Sequence, residues 1–143
     1  KRRHERRQVM GTLVYQRPGA RGYGRIHRKG VVDAGRKRRA EIGHTWYARR
    51  VQRSAINTES KLLLLQHAFE RLGAIAIEFR THWHNHSSRQ AIAWLGAKQD
   101  GILRHHQKSA DGLFRDTVVF SIIAPDWPTV CQSLTFKLAR QDA

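Results

Sequence analysis

The segment EIGHTWYARRVQRSAINTESKLLLLQHAFERL, residues 41–72, decides the fold of this 143-residue chain. Its first seven residues are rich in aromatic and β-branched types, which favour a β-strand. From Asn57 to Leu72 the apolar residues recur at intervals of three and four, which predicts a helix with one face on a sheet. The strand therefore gives way to the helix between Gln52 and Ser60. A helix start exposes unpaired backbone N–H groups, and these suit an anion.

The elements around this segment predict an α/β fold with a mixed sheet. A strand at 39–47, the helix and a second strand at 74–81 form a central βαβ unit, whose strands are parallel. A shorter helix is expected at 87–95. Two further strands, at 99–107 and 113–123, flank a turn and should form a C-terminal antiparallel hairpin. A last helix begins near Pro125-Asp126-Trp127-Pro128, with Asp126 as a candidate cap.

Basic residues are concentrated at the N-terminus. Residues 1–40 hold 14 of the 27 Lys and Arg and two of the 11 acidic residues, a net charge of +12, which leaves +4 for residues 41–143. Glycines are interleaved with these arginines, and Val9–Tyr15 is the longest apolar run. We therefore predict two regions: a basic Gly/Arg-rich arm at 1–40 with at most one strand, and a globular domain at 41–143. Tyr23, between two glycines, is expected in a turn or loop.

The charge and the cysteine count limit the partners and the compartment. A net charge of +16 attracts polyanions, so nucleic acid is an admissible partner of the basic arm. The single cysteine, Cys131, excludes an internal disulfide framework and fits a reducing compartment. The N-terminus lacks the apolar region of a secretory signal, and no apolar run has membrane-spanning length. We expect a cytoplasmic protein without membrane contacts.

A series of short motifs follows the same order as in a known family. The motifs are Glu41-Ile42-Gly43, Asn57-Thr58-Glu59, His67-Ala68-Phe69-Glu70 with Leu72-Gly73, Asn85 with Ser88, Leu95-Gly96-Ala97 with Asp100-Gly101, and Asp111-Gly112 before Asp116-Thr117-Val118-Val119-Phe120. Together, over residues 41–123, they resemble the GNAT superfamily of acetyl-CoA-dependent N-acetyltransferases, in the branch that acetylates ribosomal-protein N-termini. The resemblance implies a GNAT-like sheet, acetyl-CoA as co-substrate and a primary amine of a protein or small molecule as acceptor. It leaves the N-terminal part of that fold incomplete.

The resemblance also implies where the cofactor binds. In this family the loop after the strand holds the CoA pyrophosphate with backbone N–H groups, in the pattern Gln/Arg-x-x-Gly-x-Gly/Ala. Gln52 fits this pattern, whereas Ala55 stands for the first glycine and Asn57 for the second small residue. Alanine makes a positive φ costly, so binding by this loop requires a negative φ at Ala55. The implied cofactor contacts are Gln52, Arg53, Ser54, Ala55, Ile56, Asn57 and Thr58 in the loop, Trp46 and Tyr47 on the strand, and Asn85. The alternative is an ordinary capped helix, with Asn57 or Thr58 as its cap, behind a basic loop.

The catalytic groups implied by the resemblance are less completely defined. Asn85-His86-Ser87-Ser88 resembles the family's Asn-x-x-Ser, in which the serine lies near the leaving thiolate. Ser88 is thus a candidate general acid or donor to CoA sulfur, and otherwise the N-cap of the second helix. A main-chain N–H near Trp46 or Tyr47 would stabilise the oxyanion. The general base stays open among Glu41, His44 and His105; we favour His44, since imidazole titrates near neutrality and the strand borders the acetyl site.

A histidine-rich run raises the question of a metal site. His82, His84 and His86 alternate, so they share one side of an extended segment and three imidazoles could meet one zinc. No Cys, Asp or Glu stands beside them, so we expect rim residues and no metal site. His105 and His106 should point to opposite faces of a strand, which does not help the metal case.

Three functions of different classes remain on sequence grounds. The first is an N-acetyltransferase. The second is a nucleic-acid-binding module that depends on residues 1–40, whose binding would weaken steeply with salt. The third is a catalytically impaired GNAT fragment.

Overall fold

The fold is taken from a computed structural model, which describes the backbone of residues 12–15, 22–29, 39–47 and 55–141. Side chains are described for residues 39–43 and 58–140. The elements in chain order are β1 Thr12–Tyr15, β2 Gly22–Lys29, β3 Arg39–Tyr47, α1 Ala55–Gln66, β4 Ala76–His82, α2 His86–Trp94, β5 Lys98–Lys108, β6 Phe114–Ile123 and α3 Trp127–Gln141. A π-helical segment, His67–Arg71, extends α1, and a 3-10 turn, Ala124–Asp126, leads into α3.

The six strands form one mixed sheet in the order β1-β2-β3-β4-β6-β5. β3 and β4 are parallel, and every other neighbouring pair is antiparallel. The central βαβ unit and the β5–β6 hairpin predicted from the sequence are confirmed. β3 begins and ends where the sequence places it, and the other predicted elements from residue 57 onward differ by a few residues at their ends.

The N-terminal strands differ from the expectation of at most one strand. β1 and β2 form a hairpin, and β2 pairs with β3. Tyr23 lies in β2 and not in a turn. Arginine, glycine and histidine dominate β2, so its sequence shows no apolar alternation; its pairing with β3 overrides the weak local preference. The division of the chain into two regions at residue 40 stays a prediction.

The sheet has two unlike faces, because side chains alternate along each strand. The apolar face carries Ala40 and Ile42 of β3, Ile77 and Phe79 of β4, and Val118, Phe120 and Ile122 of β6, all buried. Buried residues of all three helices belong to the same core cluster: Leu64, Leu65, Ala68, Ile92, Leu95, Trp127, Val130 and Leu134. The polar face carries Arg39, Glu41, Glu78, Arg80, Thr117 and Ser121, in register with one another. The helices therefore pack on the apolar face.

The contact between α1 and α3 moves the buried stripe of α1 away from the predicted one. The rings of Phe69 and Trp127 stack with centroids 5.2 Å apart, and Trp127 Nε1 donates to Glu70 Oε1 at 3.2 Å. Phe69 and Leu62 are only partly buried and pack against the core cluster from its edge. The stripe is centred on Leu64, Leu65 and Ala68 because the helix packs against α3 as well as against the sheet.

A lysine lies on this buried stripe. Lys61 precedes Leu64, Leu65 and Ala68 at helical spacing, and its side chain is 7% exposed. Burial disfavours the ammonium form and lowers the pKa of Lys61 to about 8. The apolar spacing that predicted the helix gave no indication that Lys61 would be buried.

None of the helices in the described part of the chain is long and apolar enough to cross a membrane.

Lys61 should make the stability of the protein depend on pH in the alkaline range. Its folded-state pKa of about 8 lies below the ordinary value of 10.5, so between these values the folded chain binds fewer protons than the unfolded chain. The free energy of unfolding therefore rises with pH across this window, by roughly 3 kcal/mol in total. Urea unfolding from pH 7.5 to 10.5 measures the rise. Lys61→Met should remove it, whereas Lys108→Met, at an exposed position, should keep it; equal slopes in all three proteins would contradict the burial of Lys61.

Gly96 should be required for the connection after α2. Its φ of +99° lies in the left-handed region, and an added Cβ would lie 3.1 Å from Val130 Cγ2. We expect Gly96→Ala to lower the free energy of unfolding by about 1–2 kcal/mol from backbone strain alone, plus the cost of displacing Val130. Gly101→Ala is the matched control, because an added Cβ there meets no atom within 4 Å. Chemical denaturation of both variants tests the difference, and equal losses would refute it.

Candidate functional site

The central feature of the site is a cleft inside the sheet, between β3 and β4. The two parallel strands pair only at Arg39 with Ala76, Ala40 with Ile77, and Glu41 with Glu78. Beyond these pairs β3 continues along β2 to Tyr47, whereas β4 continues along β6 to His82. The carboxyl halves of the two strands therefore diverge. We call the space between them the sheet cleft; ligands of open α/β sheets bind at such carboxyl ends.

A β-bulge in β3 lies along one side of this cleft. Gly43 pairs with Arg25 and Trp46 with Tyr23, so His44 and Thr45 together stand opposite Gly24. A bulge leaves a backbone group out of the ladder and re-aims the strand. It lies directly before Trp46 and Tyr47, where the resemblance placed a main-chain oxyanion donor. For His44, Trp46 and Tyr47 the structure describes the backbone alone, so their roles stay predictions.

Two helices begin at the carboxyl ends of the parallel strands. α1 follows β3 and α2 follows β4, and the first N–H groups of each helix have no partner within the helix. The positive ends of both helix dipoles are thus directed to the same edge of the sheet. These two helix starts and the sheet cleft make an arrangement suited to an anionic ligand with an extended tail.

The residue at which α1 begins bears on the N-cap role predicted for Asn57 or Thr58 and on the φ of Ala55. α1 begins at Ala55, so Asn57 and Thr58 lie inside its first turn and neither is the N-cap that was predicted. Ala55 is the first residue of α1, and a residue in an α-helix has a negative φ. This meets the condition stated for phosphate binding. Gln52, Arg53 and Ser54 lie outside the described residues, and for Ile56 and Asn57 only the backbone is described.

Asn85 is the N-cap of α2. Its Oδ1 accepts the backbone N–H of Ser88 at 3.1 Å and the hydroxyl of Ser87 at 3.1 Å. Ser88 is therefore the third residue of the helix, and its alternative role as N-cap is wrong. Its side chain is partly buried, and no hydrogen bond of its hydroxyl is found among the described residues.

Arg89 fixes the turn between β4 and α2. Its Nη1 donates to the carbonyl oxygen of Trp83 at 3.1 Å, and its guanidinium lies 4.1 Å from the centroid of the Trp83 ring. A cation over an indole face is attracted by the ring quadrupole. The position of Asn85 and Ser88 relative to β4 is thus held by a side chain of α2 itself.

A chain of charges crosses the last paired rungs of β3 and β4. Arg39 donates from Nε and Nη2 to Glu78 Oε1 at 3.0 and 2.7 Å, and Arg80 Nη2 lies 3.4 Å from Glu78 Oε2. Arg80 Nε lies 4.0 Å from Glu41 Oε2. The network lies on the polar face at the point where the cleft opens. Of the candidate bases, Glu41 is thus brought to the cleft, with Arg80 beside it.

A cavity of about 410 Å³ lies over this network on the polar face. Its charged lining comes from Arg39, Glu78, Arg80 and Asp100, and the remaining lining includes Leu103, Val119 and Ser121. Because all three helices pack on the other face, this cavity borders the cleft from the side that the described helices leave open.

A second bulge, in β5, was not predicted. Leu103 pairs with Thr117 and Gln107 with Arg115, so three residues of β5 stand opposite Asp116. One carboxylate oxygen of Asp116 accepts the N–H of His105 at 2.9 Å, and the other lies 2.6 Å from Arg104 Nε. The hydrogen bond from His105, with the charge of Arg104, lowers the pKa of Asp116. The backbone carbonyl of Asp116 accepts the N–H of Trp83 at 3.1 Å, which joins the bulge to the turn before Asn85.

His82 and His84 of the histidine run contact each other in the turn after β4. The N–H of His84 donates to Nδ1 of His82 at 2.9 Å, and the two rings are 5.5 Å apart. No group of three or more His, Cys, Asp or Glu with the geometry of a metal site occurs among the described residues.

Comparisons with known proteins agree with this geometry. The profile of the acetyltransferase (GNAT) domain matches residues 1–98. The GCN5-related N-acetyltransferase of Brucella melitensis superposes with a TM-score of 0.74 at 29% identity, over 82% of this chain and 51% of that protein. A T. thermophilus protein named as an acetyltransferase is 34% identical, with a TM-score of 0.69, over 85% of this chain and 68% of its own. No curated protein matches the chain in sequence.

One further neighbour was solved with a bound cofactor. The RimJ protein of Mycobacterium smegmatis, in complex with CoA-disulfide, is 25% identical and superposes with a TM-score of 0.66, over 81% of this chain and 59% of that protein. The chain spans about half the length of the Brucella protein.

The family profile extends the similarity to residues before Glu41, where the motifs of the sequence analysis begin. It includes residues 1–40, whose strands β1 and β2 join the same sheet, and nothing in these comparisons supports nucleic-acid binding by that segment. The profile covers more than half of the chain, and the mixed sheet, the cleft and the solved neighbours agree with it. The chain belongs to the GNAT acetyltransferase family.

Proposed function

We propose that the protein transfers an acetyl group from acetyl-CoA to a primary amine. The observation that carries this proposal is the divergence of β3 and β4 after Glu41 and Glu78, with a helix start at the end of each strand. The CoA-disulfide complex of the similar RimJ protein supports CoA as the ligand. The activity is proposed for a chain that spans only part of its relatives, in a cytoplasmic setting.

The residues present fit the chemistry of CoA. Its pyrophosphate would be held at the start of α1 by backbone N–H groups of the segment from Gln52 to Thr58, whose helical φ at Ala55 removes the conflict with the missing glycine. Arg49, Arg50 and Arg53 would add charge-assisted contacts. Trp46, Tyr47 and Asn85 would contact the pantetheine arm from the two sides of the cleft. When bound, acetyl-CoA supplies the thioester carbon that the amine attacks.

The protein groups then have separate tasks. A base removes one proton from the ammonium form of the acceptor, and the amine lone pair forms the C–N bond. A backbone N–H beside the bulge of β3 stabilises the oxyanion. The C–S bond breaks, and the Ser88 hydroxyl donates a proton to sulfur and recovers one from the attached nitrogen. Glu41, whose carboxylate lies on the polar face beside Arg80, and His44 are two candidates for this base.

The acceptor class is part of the proposal. A protein N-terminus or a small amine would approach from the polar face, because the described helices cover the other face. The cavity of about 410 Å³ has room for one or two residues of a peptide or for a small amine. A catalytically impaired relative that binds CoA without transfer is the alternative within the family.

Binding of the cofactor is the first test. Acetyl-CoA should raise the melting temperature of the protein, because a ligand that binds only the folded state stabilises it by mass action. Thermal shift and calorimetry with acetyl-CoA measure this, with acetylated pantetheine as the control, which lacks the pyrophosphate and should bind far more weakly. No stabilisation at millimolar acetyl-CoA would overturn the proposal, whereas binding without transfer to any amine would support the impaired relative.

Variants of Ser88 and Asn85 should distinguish a role in catalysis from a role in capping α2. Ser88→Ala should lower kcat by about 10- to 100-fold with little change in melting temperature, because the hydroxyl is not the helix cap. Asn85→Ala should lower stability by about 1 kcal/mol, because it removes the acceptor of the Ser88 N–H. Asn85→Asp, which keeps the cap, is the matched control for stability. A Ser88→Ala variant with wild-type kcat would exclude Ser88 as the acid.

A further inference from the structure

The bulge of β5 reverses the faces to which His105 and His106 point. Leu103 shares the polar face with its partner Thr117, so regular alternation would put His105 on the polar face and His106 on the apolar face. The observed contacts are the opposite. The His105 ring stacks on Phe114, which lies on the side of Val118, with centroids 5.4 Å apart. His106 Nδ1 lies 3.0 Å from Thr117 Oγ1, on the polar face.

This reversal requires an unfavourable backbone conformation. The φ of His105 is +48°, in the left-handed region that non-glycine residues avoid. Such a conformation persists only where the surroundings hold it, and it is concentrated at functional sites. Here Asp116 holds it, through the hydrogen bond to the His105 N–H and the ion pair with Arg104. Without the bulge, the imidazole of His106 would not reach Thr117.

The position of Thr117 relates His106 to the cleft. Thr117 pairs with His82, the last residue of β4, and Asp116 bonds to Trp83 in the turn before α2. His106 therefore lies on the polar face at the level where the cleft is open and α2 begins, on the edge strand β5, which β6 separates from β4. With Nδ1 bonded to Thr117, Nε2 is the ring nitrogen left to face an acceptor.

We propose that His106 is a general base of the transfer reaction and that Asp116 is the positioning residue that delivers it to the polar face. This role rests on the proposed acetyl transfer. Nε2 of His106 takes one proton from the ammonium form of the acceptor, directly or through a water molecule. The freed lone pair forms the C–N bond to the thioester carbon, the C–S bond breaks, and the second nitrogen proton passes to the CoA sulfur. The proton on His106 returns to solvent.

The charged and titratable groups around His106 determine which variants test this role. On the polar face these are His82 and Arg80 of β4 and Arg115 of β6, with Glu41 and Glu78 further along the cleft. Arg104 and Asp116 lie on the other face. His82 accepts the His84 N–H through Nδ1, so it has a role in the turn already. His106 is the imidazole on this face whose place depends on a strained bulge.

The test compares the pH dependence of kcat/KM for acetyl transfer in the wild type and four variants, with CoA affinity measured by calorimetry in each. His106→Gln should lower kcat/KM by about 100-fold near neutral pH and remove the acid limb of the profile, with unchanged CoA affinity. Lys108→Gln is the control on the same strand: Lys108 is exposed and pairs with Phe114, which lies on the other side of the sheet, so activity and profile should stay those of the wild type. Asp116→Ala should resemble His106→Gln, and Asp116→Asn should restore part of the activity, since its amide oxygen can still accept the His105 N–H.

The test distinguishes failure of the role proposed for His106 from failure of the proposed acetyl transfer. A His106→Gln variant with the wild-type pH profile would overturn the role of His106 while leaving acetyl transfer intact. An Asp116→Ala variant that loses stability but keeps kcat/KM and profile would show a structural role for Asp116 and overturn the positioning. A wild-type chain that binds acetyl-CoA but acetylates no amine would overturn the activity and, with it, this role of His106.

Discussion

The separation of β3 and β4 after three paired rungs is the constraint on which the rest of the structure depends. Two parallel strands normally exchange hydrogen bonds along their whole common length. Here β3 continues to pair with β2, and β4 continues to pair with β6. The sheet is therefore continuous at its paired end, and β3 and β4 are separated beyond it. Because the strands are parallel, both following helices start at the open end. The cleft and the two helix starts at its edge both follow from the direction and the divergence of these strands.

The distribution of charge over the sheet follows from the packing of the helices. The described helices α1, α2 and α3 cover the apolar face, and the polar face holds Arg39, Glu41, Glu78 and Arg80. These charges alternate in sign, in the order Arg39, Glu78, Arg80 and Glu41. Each charge has an opposite charge beside it, which limits the desolvation cost of partial burial. The same face receives His106 through a strained bulge. The apolar face thus holds the core, and the buried Lys61 of α1 is the charged exception there.

Much of the fold was readable from the sequence, because its strongest signals are local. The aromatic and β-branched run ending at Tyr47, the three–four spacing after Asn57 and the alternation around Ile77 each reflect a side chain that meets a neighbouring layer. Their order predicted the βαβ unit, and the motif order predicted the family. Asn85 and Ser88 were recognised as a pair, but only the coordinates showed which of them caps α2.

What only the tertiary structure decided are the features that need a partner in another part of the chain. β2 became a strand because β1 and β3 pair with it, and α1 begins at Ala55, two residues before the start that the sequence predicted. Register shifts opposite Gly24 and Asp116 depend on which residues face each other across strands, and no periodicity along one strand records that. The sequence by itself determined the elements from β3 onward and the family, because apolar spacing and motif order are local properties. The tertiary structure decided which side chains meet at the cleft, because strand divergence and bulges are properties of pairs.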